Sequence, residues 1–374
     1  MVMKLDQFEM ERMQSTWENR VDYNLSESGV HPLKLNELLR DEEIFELTRV
    51  SLGYNQTNGT EELRSIIAQR YPGASAGNIL VTNGSAEANF ISTWCLIEPG
   101  DKIALMLPNY MQIWGIGRAF GADVKPFHLI PTNGRWEVDW DELERAISPG
   151  TRLIAVCNPN NPTGAQLNLK HIQTICELAA KTDAWILSDE VYQGAERVGE
   201  TTPSFWRHHD KVIVVNGLSK VYGLPGLRIG WIVAPPDLIA KLWSYHDYTT
   251  ICPNPLSDRL ARLALSSPNR KRIIERARTI VSNNFAILQA WMEGHDRLFE
   301  CIPPVAGAIA LVSYHLQIKS LDLANRLRQE KSVLVVPGEH FLMENCIRIG
   351  FGMESNYLQK ALRRVSELLN ELPG

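Results

Sequence analysis

The sequence predicts an α/β protein in which a doubly wound, mostly parallel sheet domain carries a smaller α+β domain. Three observations lead there. Between about residues 60 and 235, short apolar runs bounded by turn residues alternate with amphipathic segments, the rhythm of repeated βα units. The runs are apolar throughout instead of alternating with polar residues, which marks strands buried on both faces and covered by helices. Beyond about residue 269 the rhythm changes, so a second unit begins there.

The expected strands of the large sheet include 78–82, 102–107, 153–157, 184–188 and 212–215. A long helix is expected over 269–293, where Arg, Ile and Ala recur at helical spacing. The C-terminal part then reads as an apolar run at 305–314, a helix at 321–330, strands at 333–336 and 346–351, and a closing helix at 356–369. A chain of 374 residues can bury more than one core. The expected division is a large domain over 46–264 and a small domain over 1–45 and 265–374.

Composition excludes several classes. The net charge is −5 and the basic residues are scattered singly, so no footprint for nucleic acid exists. The first 21 residues mix acids and bases without an apolar core of signal-peptide length, and no later run approaches a bilayer span. A cytoplasmic protein without membrane contact is expected. Its six cysteines lie far apart with no paired spacing, which suits small core residues in a reducing compartment better than disulfides or a metal site.

In an open α/β sheet, ligands sit at the carboxyl ends of the strands, so the residues just after each apolar run carry the functional reading. After 78–82 comes Asn83-Gly84-Ser85-Ala86-Glu87, a small-residue turn entering a helix whose free N–H groups could receive a phosphate. After 153–157 comes Asn158-Pro159-Asn160-Asn161-Pro162-Thr163-Gly164, a rigid turn that fixes asparagine amides as donors. After 184–188, Asp189 places a carboxylate at a strand tip and Tyr192 a phenol shortly beyond it. After 212–215 comes a glycine-rich segment with Ser219, Lys220 and Arg228. Each alone is compatible with an ordinary turn or a solvated charge.

As an ordered set, with Arg348 in Ile347-Arg348-Ile349-Gly350, these segments resemble the fold type I pyridoxal-phosphate enzymes, specifically the class I/II aminotransferases, from about Asn24 to Phe351. The resemblance implies pyridoxal 5'-phosphate as cofactor, an amino acid and a keto acid as substrates, and a homodimer. Lys220 then corresponds to the Schiff-base lysine and general base. Asp189 corresponds to the partner of the pyridine nitrogen, and Asn161 and Tyr192 to the pair on the ring phenolate oxygen. Tyr110 corresponds to the stacking aromatic. Ser85, Ala86, Ser219 and Arg228 match the phosphate cup, and Tyr54 a tyrosine that reaches the neighbouring subunit's phosphate. Arg348 matches the fork for the substrate α-carboxylate, a geometry that lysine cannot supply.

There is one departure from the pattern. Many relatives carry Ser or Thr three residues before the lysine, where this chain has Gly217. The stretch Asn24–His31 falls where relatives place a loop over the substrate, with Gly29 near its carboxylate and His31 as a candidate proton carrier. Ser28-Gly29-Val30-His31 also resembles the capreomycidine synthases, which cyclise a hydroxylated arginine, and arginine oxidases have a histidine nearby. Transamination is the expected reaction. A lyase, cyclase or oxidase on the same cofactor, and a regulator that keeps the fold without catalysis, remain the alternatives.

Overall fold

The computed structural model describes residues 4–295 and 298–372. Its centre is an eight-stranded sheet whose strands we number in chain order: β1 (Ile79–Thr82), β2 (Lys102–Leu107), β3 (Asp123–Thr132), β4 (Arg135–Val138), β5 (Thr151–Cys157), β6 (Trp185–Asp189), β7 (Val212–Gly217) and β8 (Gly230–Val233). The spatial order is β1-β8-β7-β6-β5-β2-β3-β4. The five central strands β7, β6, β5, β2 and β3 run parallel, and the edges are antiparallel.

The apolar runs behave as expected of strands covered on both faces. Along β5, Ile154 and Val156 join one core while Leu153 and Ala155 join the other; along β7, Val212 and Val214 face one way and Ile213 and Val215 the other. Burying such a side chain stabilises the fold by about 1.5–3 kcal/mol, so a one-residue register slip would misplace every one of them. The first core continues into the C-terminal part, where Ile309, Val312, Ile347 and Ile349 belong to it.

The C-terminal part contains a four-stranded antiparallel sheet of β9 (Phe299–Cys301), β10 (Ile309–Tyr314), β11 (Val336–Pro337) and β12 (Cys346–Gly350), in the order β9-β10-β12-β11. Five helices are used below: α1 (Glu9–Trp17), α2 (Ser85–Leu96), α3 (Pro236–His246), α4 (Ser267–Glu293) and α5 (Ser355–Leu369). The stretch 333–336 is not one strand. Val333–Leu334 pairs in parallel with Tyr23–Asn24, and Val336–Pro337 pairs with β12. Pro337 has no N–H, so that ladder ends there.

The hairpin of β3 and β4 was not among the expected strands, although its turn is Asn133-Gly134 with positive φ at both residues, the pattern that a two-residue hairpin turn demands. Four cysteines are buried, but Cys252 and Cys301 are only partly so, which corrects the expectation of six core thiols. Among the described residues no helix is long and apolar enough to cross a membrane.

Candidate active site

The carboxyl ends of β5, β6 and β7 open onto a cavity of about 260 Å³. From the expected set, Ser85, Ala86, Tyr110, Asn161, Asp189, Tyr192, Ser219, Lys220 and Arg228 all line it. Residues more than 130 positions apart in sequence therefore meet because parallel strands end at one edge.

Each contributes a defined chemistry. Asp189 is buried, held by Asn89 Nδ2 at 2.9 Å and the Val191 N–H at 3.2 Å. Burial pushes its carboxyl above the usual range, partly countered by Asn89. No lysine, arginine or histidine pairs with it among the described residues, so it is suited to a cation brought by a ligand. Arg228 donates to Ser219 Oγ at 3.4 Å and to the Pro225 carbonyl at 3.1 Å. It lies against Gly84, where φ is +87 and a Cβ would overlap the guanidinium. Helix α2 has no side-chain cap, so its first N–H groups stay free beside that arginine.

Gly217 acquires a local reason. It pairs with Gly230 across β7 and β8, and a Cβ there would stand 3.0 Å from the Ile229 carbonyl and 3.2 Å from Gly230 Cα. A serine would have to push the neighbouring strand away.

Arg348 is fully buried on β12, a little behind the cavity wall. Its Nη1 donates to Asn161 Oδ1 at 2.9 Å and its Nη2 to the Ser26 carbonyl, while Nε has no partner. Among the described residues no carboxylate pairs with it. A buried guanidinium without a counter-charge is expensive and is suited to an anionic ligand. Gly29 is required where it stands: its Cβ position lies 3.1 Å from the Ser219 carbonyl and 3.2 Å from Lys220 Cα, so the 24–31 strap passes directly over the lysine segment.

Two expected residues are placed elsewhere. His31 does not line the cavity; its ring is bonded by Arg276 Nη2 at 2.8 Å, and burial followed by the Arg276 charge lowers its pKa. The strap turns its side chain toward α4, which carries Arg276. Tyr54 is 87% exposed and is absent from the cavity of its own chain.

The structure adds residues that the sequence reading did not single out. Helix α1 presents Glu11, Gln14, Ser15 and Glu18 to the cavity, and Glu27 reaches it from the strap. The spacing of the first four is that of one helix face, a signal present in the sequence. Glu27 Oε1 lies 3.3 Å from Lys220 Nζ and accepts the N–H groups of Ser28 and Gly29. Lys220, assisted by those N–H groups, holds the Glu27 carboxyl down at about 2. Burial alone would lower the Lys220 pKa, but Glu27 and then Tyr192 raise it above the ordinary lysine value. Tyr110 donates to Glu11 at 2.8 Å.

Glu27→Gln is therefore expected to let Lys220 lose its proton at lower pH, because the charge that holds the proton is gone. Labelling of Lys220 by an amine-reactive reagent in protein freed of cofactor, followed across pH, reads this directly. A profile that stays in place or moves upward would refute it.

Comparison with known proteins agrees with this geometry. Residues 24–365 match the family aminotransferase class I and II, and the chain belongs to it. Capreomycidine synthase of Streptomyces vinaceus is 31% identical over 92% of this chain and 89% of its own length. Arginine–pyruvate transaminase of Pseudomonas aeruginosa is 28% identical, covering 86% of this chain and 83% of that one. The crystal structure of a PLP-dependent aminotransferase from Streptococcus suis superposes with a TM-score of 0.93 at 34% identity, over the whole of both chains. The fold is that of the fold type I pyridoxal-phosphate enzymes, and pyridoxal phosphate is the cofactor. The residues present fit it: an amine, an uncompensated carboxylate and a glycine-lined cradle beside an arginine share one cavity.

Proposed function

We propose that this chain is an aminotransferase that moves the amino group of an α-amino acid to a keto acid, and that its amino donor carries a positively charged side chain. The observation that supports the reaction is the meeting of Lys220, Asp189 and Asn161 at one cavity, with the buried Arg348 bonded to Asn161. When bound, pyridoxal phosphate supplies an aldehyde for the amino group and a ring that draws electrons from the α-carbon. Lys220 Nζ would hold the cofactor covalently and, once released, would take the α-proton from the substrate and pass it to the cofactor carbon. Asp189 keeps a proton on the pyridine nitrogen, Asn161 and Tyr192 hold the phenolate oxygen, and Tyr110 orients the ring. Ser85, Ala86, Ser219 and Arg228 take the phosphate. Arg348 holds the substrate carboxylate, and helix α1 with the strap limits water.

The charge preference is supported by three glutamates on the cavity wall, Glu11, Glu18 and Glu27. Burial raises the Glu18 carboxyl, and repulsion from Glu27 and Glu11 raises it further. A cationic side chain would relieve that repulsion, and one relative is an arginine transaminase. A second reading, a cyclase or lyase of a basic amino acid, is favoured by the 31% identity to capreomycidine synthase.

One experiment separates these. ¹⁵N-labelled arginine given with a keto acid is expected to pass its α-nitrogen into the new amino acid without free ammonia. Citrulline, the same shape without the charge, is expected to react on the order of 10² more slowly. Ammonia or a cyclic product would establish the second reading, and equal use of citrulline would end the charge preference.

The oligomer we infer is a homodimer in which Tyr54 serves the partner's phosphate site, in keeping with its exposure. We retain the division into 46–264 and 1–45 plus 265–374, supported by the separate small sheet of 299–350.

A further inference from the structure

Beside the Gly84–Ala86 turn sits a polar knot that no step above uses. Glu87 is the third residue of α2 and its carboxylate bonds in two directions. Oε2 accepts the backbone N–H of Asn83 at 2.5 Å. Oε1 accepts from Thr250 Oγ1 at 2.8 Å, from His246 Nδ1 at 3.1 Å and from the Thr249 hydroxyl. His246 is the last residue of α3 and is completely buried. Burial alone would raise the Glu87 carboxyl, but the bonds from His246, Thr249 and Asn83 bring it down to about 2. One ionised carboxylate thus ties the entrance of α2 to the end of α3.

The turn is also held by Thr82, whose carbonyl accepts the Gly84 N–H at 2.9 Å and whose hydroxyl donates to the Gly84 carbonyl at 2.9 Å, and by Gln112 Nε2, which donates to the Ala86 carbonyl at 2.8 Å. Gly84 has no side chain, Asn83 is exposed, and α2 lacks a side-chain cap. Positive φ at Gly84 is costly for other residues, and a Cβ at Gly230 would overlap the Gly84–Ser85 peptide, so the turn packs on β8 with no room for a side chain between them. Glu87 adds the grip on the Asn83 N–H, one residue before the glycine, and so fixes the entry of the turn that aims the Ser85 and Ala86 N–H groups.

We propose that Glu87 is a positioning residue for the cofactor phosphate. It locks the turn from Asn83 to Ala86 so that the N–H groups of Ser85 and Ala86 converge with Arg228, and His246, Thr249 and Thr250 hold it in place. Three of the four donors, His246, Thr249 and Thr250, meet Oε1, and the Asn83 N–H meets Oε2. This rests on the reading that the turn and Arg228 receive the phosphate.

The test compares pyridoxal phosphate with pyridoxal, which has the same ring and aldehyde but no phosphate, by titrating each into the full-length protein freed of cofactor. Glu87→Gln can accept on only one side, and it is expected to weaken pyridoxal phosphate on the order of tenfold while leaving pyridoxal nearly unchanged. Thr250→Val removes one distant bond without touching α2 and is expected to act in the same direction to a smaller extent. A merely structural role would weaken both ligands alike, and that outcome overturns the proposal. Arg228→Ala is the reference. If it loses pyridoxal phosphate selectively while Glu87→Gln and Thr250→Val do not, the role of Glu87 falls and the phosphate reading stands; if Arg228→Ala fails to discriminate, both fall. Should Glu87→Gln not fold, Thr250→Val decides.

Discussion

Lys220→Ala is expected to lower turnover on the order of 10⁵-fold, the scale on which removal of a catalytic nucleophile acts. The lysine follows β7 on a segment fixed by Gly29 on one side and by the Leu218 N–H to Ile229 carbonyl bond on the other. Its amine points into the cavity beside Glu27, and among the described residues no other lysine lines that cavity. The variant should still take up pyridoxal phosphate, because Arg228, Ser85, Ala86 and Asp189 are untouched, but without a covalent bond. Borohydride reduction followed by peptide mapping reads this: the label falls on the Lys220 peptide of the native protein and on none in the variant. A label on another lysine would remove the assignment. Mixing Lys220→Ala chains with Tyr54→Phe chains extends the test, since a shared site predicts hybrid dimers in which one of the two sites carries neither change.

The parts of this molecule that were legible in the sequence are those set by local chemistry. Apolar runs gave the strands because burial on both faces leaves no room for polar residues, and the residues after them gave the cavity because parallel strands end together. The strand at 333–336 was misjudged because apolar composition does not tell which partner a strand takes; Tyr23–Asn24 and β12 each claim half of it. The direction of His31 is not legible in the sequence for a related reason. A histidine next to a binding strap is chemically suggestive, yet strap residues alternate in direction, and Arg276 on α4 draws this one away. Glu27 stood four residues before it and was overlooked, because nothing in its neighbours reveals a lysine 193 positions further on. Helix α1 was legible in principle, through the one-face spacing of Glu11, Gln14, Ser15 and Glu18, but a polar face reads as a solvated one until a cavity lies beneath it.

Arg348→Lys is expected to raise the KM for an amino-acid substrate on the order of 10²-fold while leaving cofactor affinity and the absorbance of the cofactor-loaded enzyme unchanged. The guanidinium is desolvated, and its two Nη atoms are already fixed by Asn161 and the Ser26 carbonyl, so it meets a carboxylate without further ordering. Hydrogen bonds between a charged donor and a charged acceptor contribute about 1.5–3 kcal/mol each, and two of them can account for a loss of that size. Lysine keeps the charge but offers a point instead of a fork. The discriminating control is an amine that lacks the carboxylate. If Arg348 acts on that group alone, native protein and variant should process such an amine with the same low efficiency, and the difference between them should appear only for substrates that carry the carboxylate. A variant that loses both kinds of substrate equally would mean that Arg348 supports the strap and not the substrate, and the α-carboxylate would then have to be held from the α1 side of the cavity.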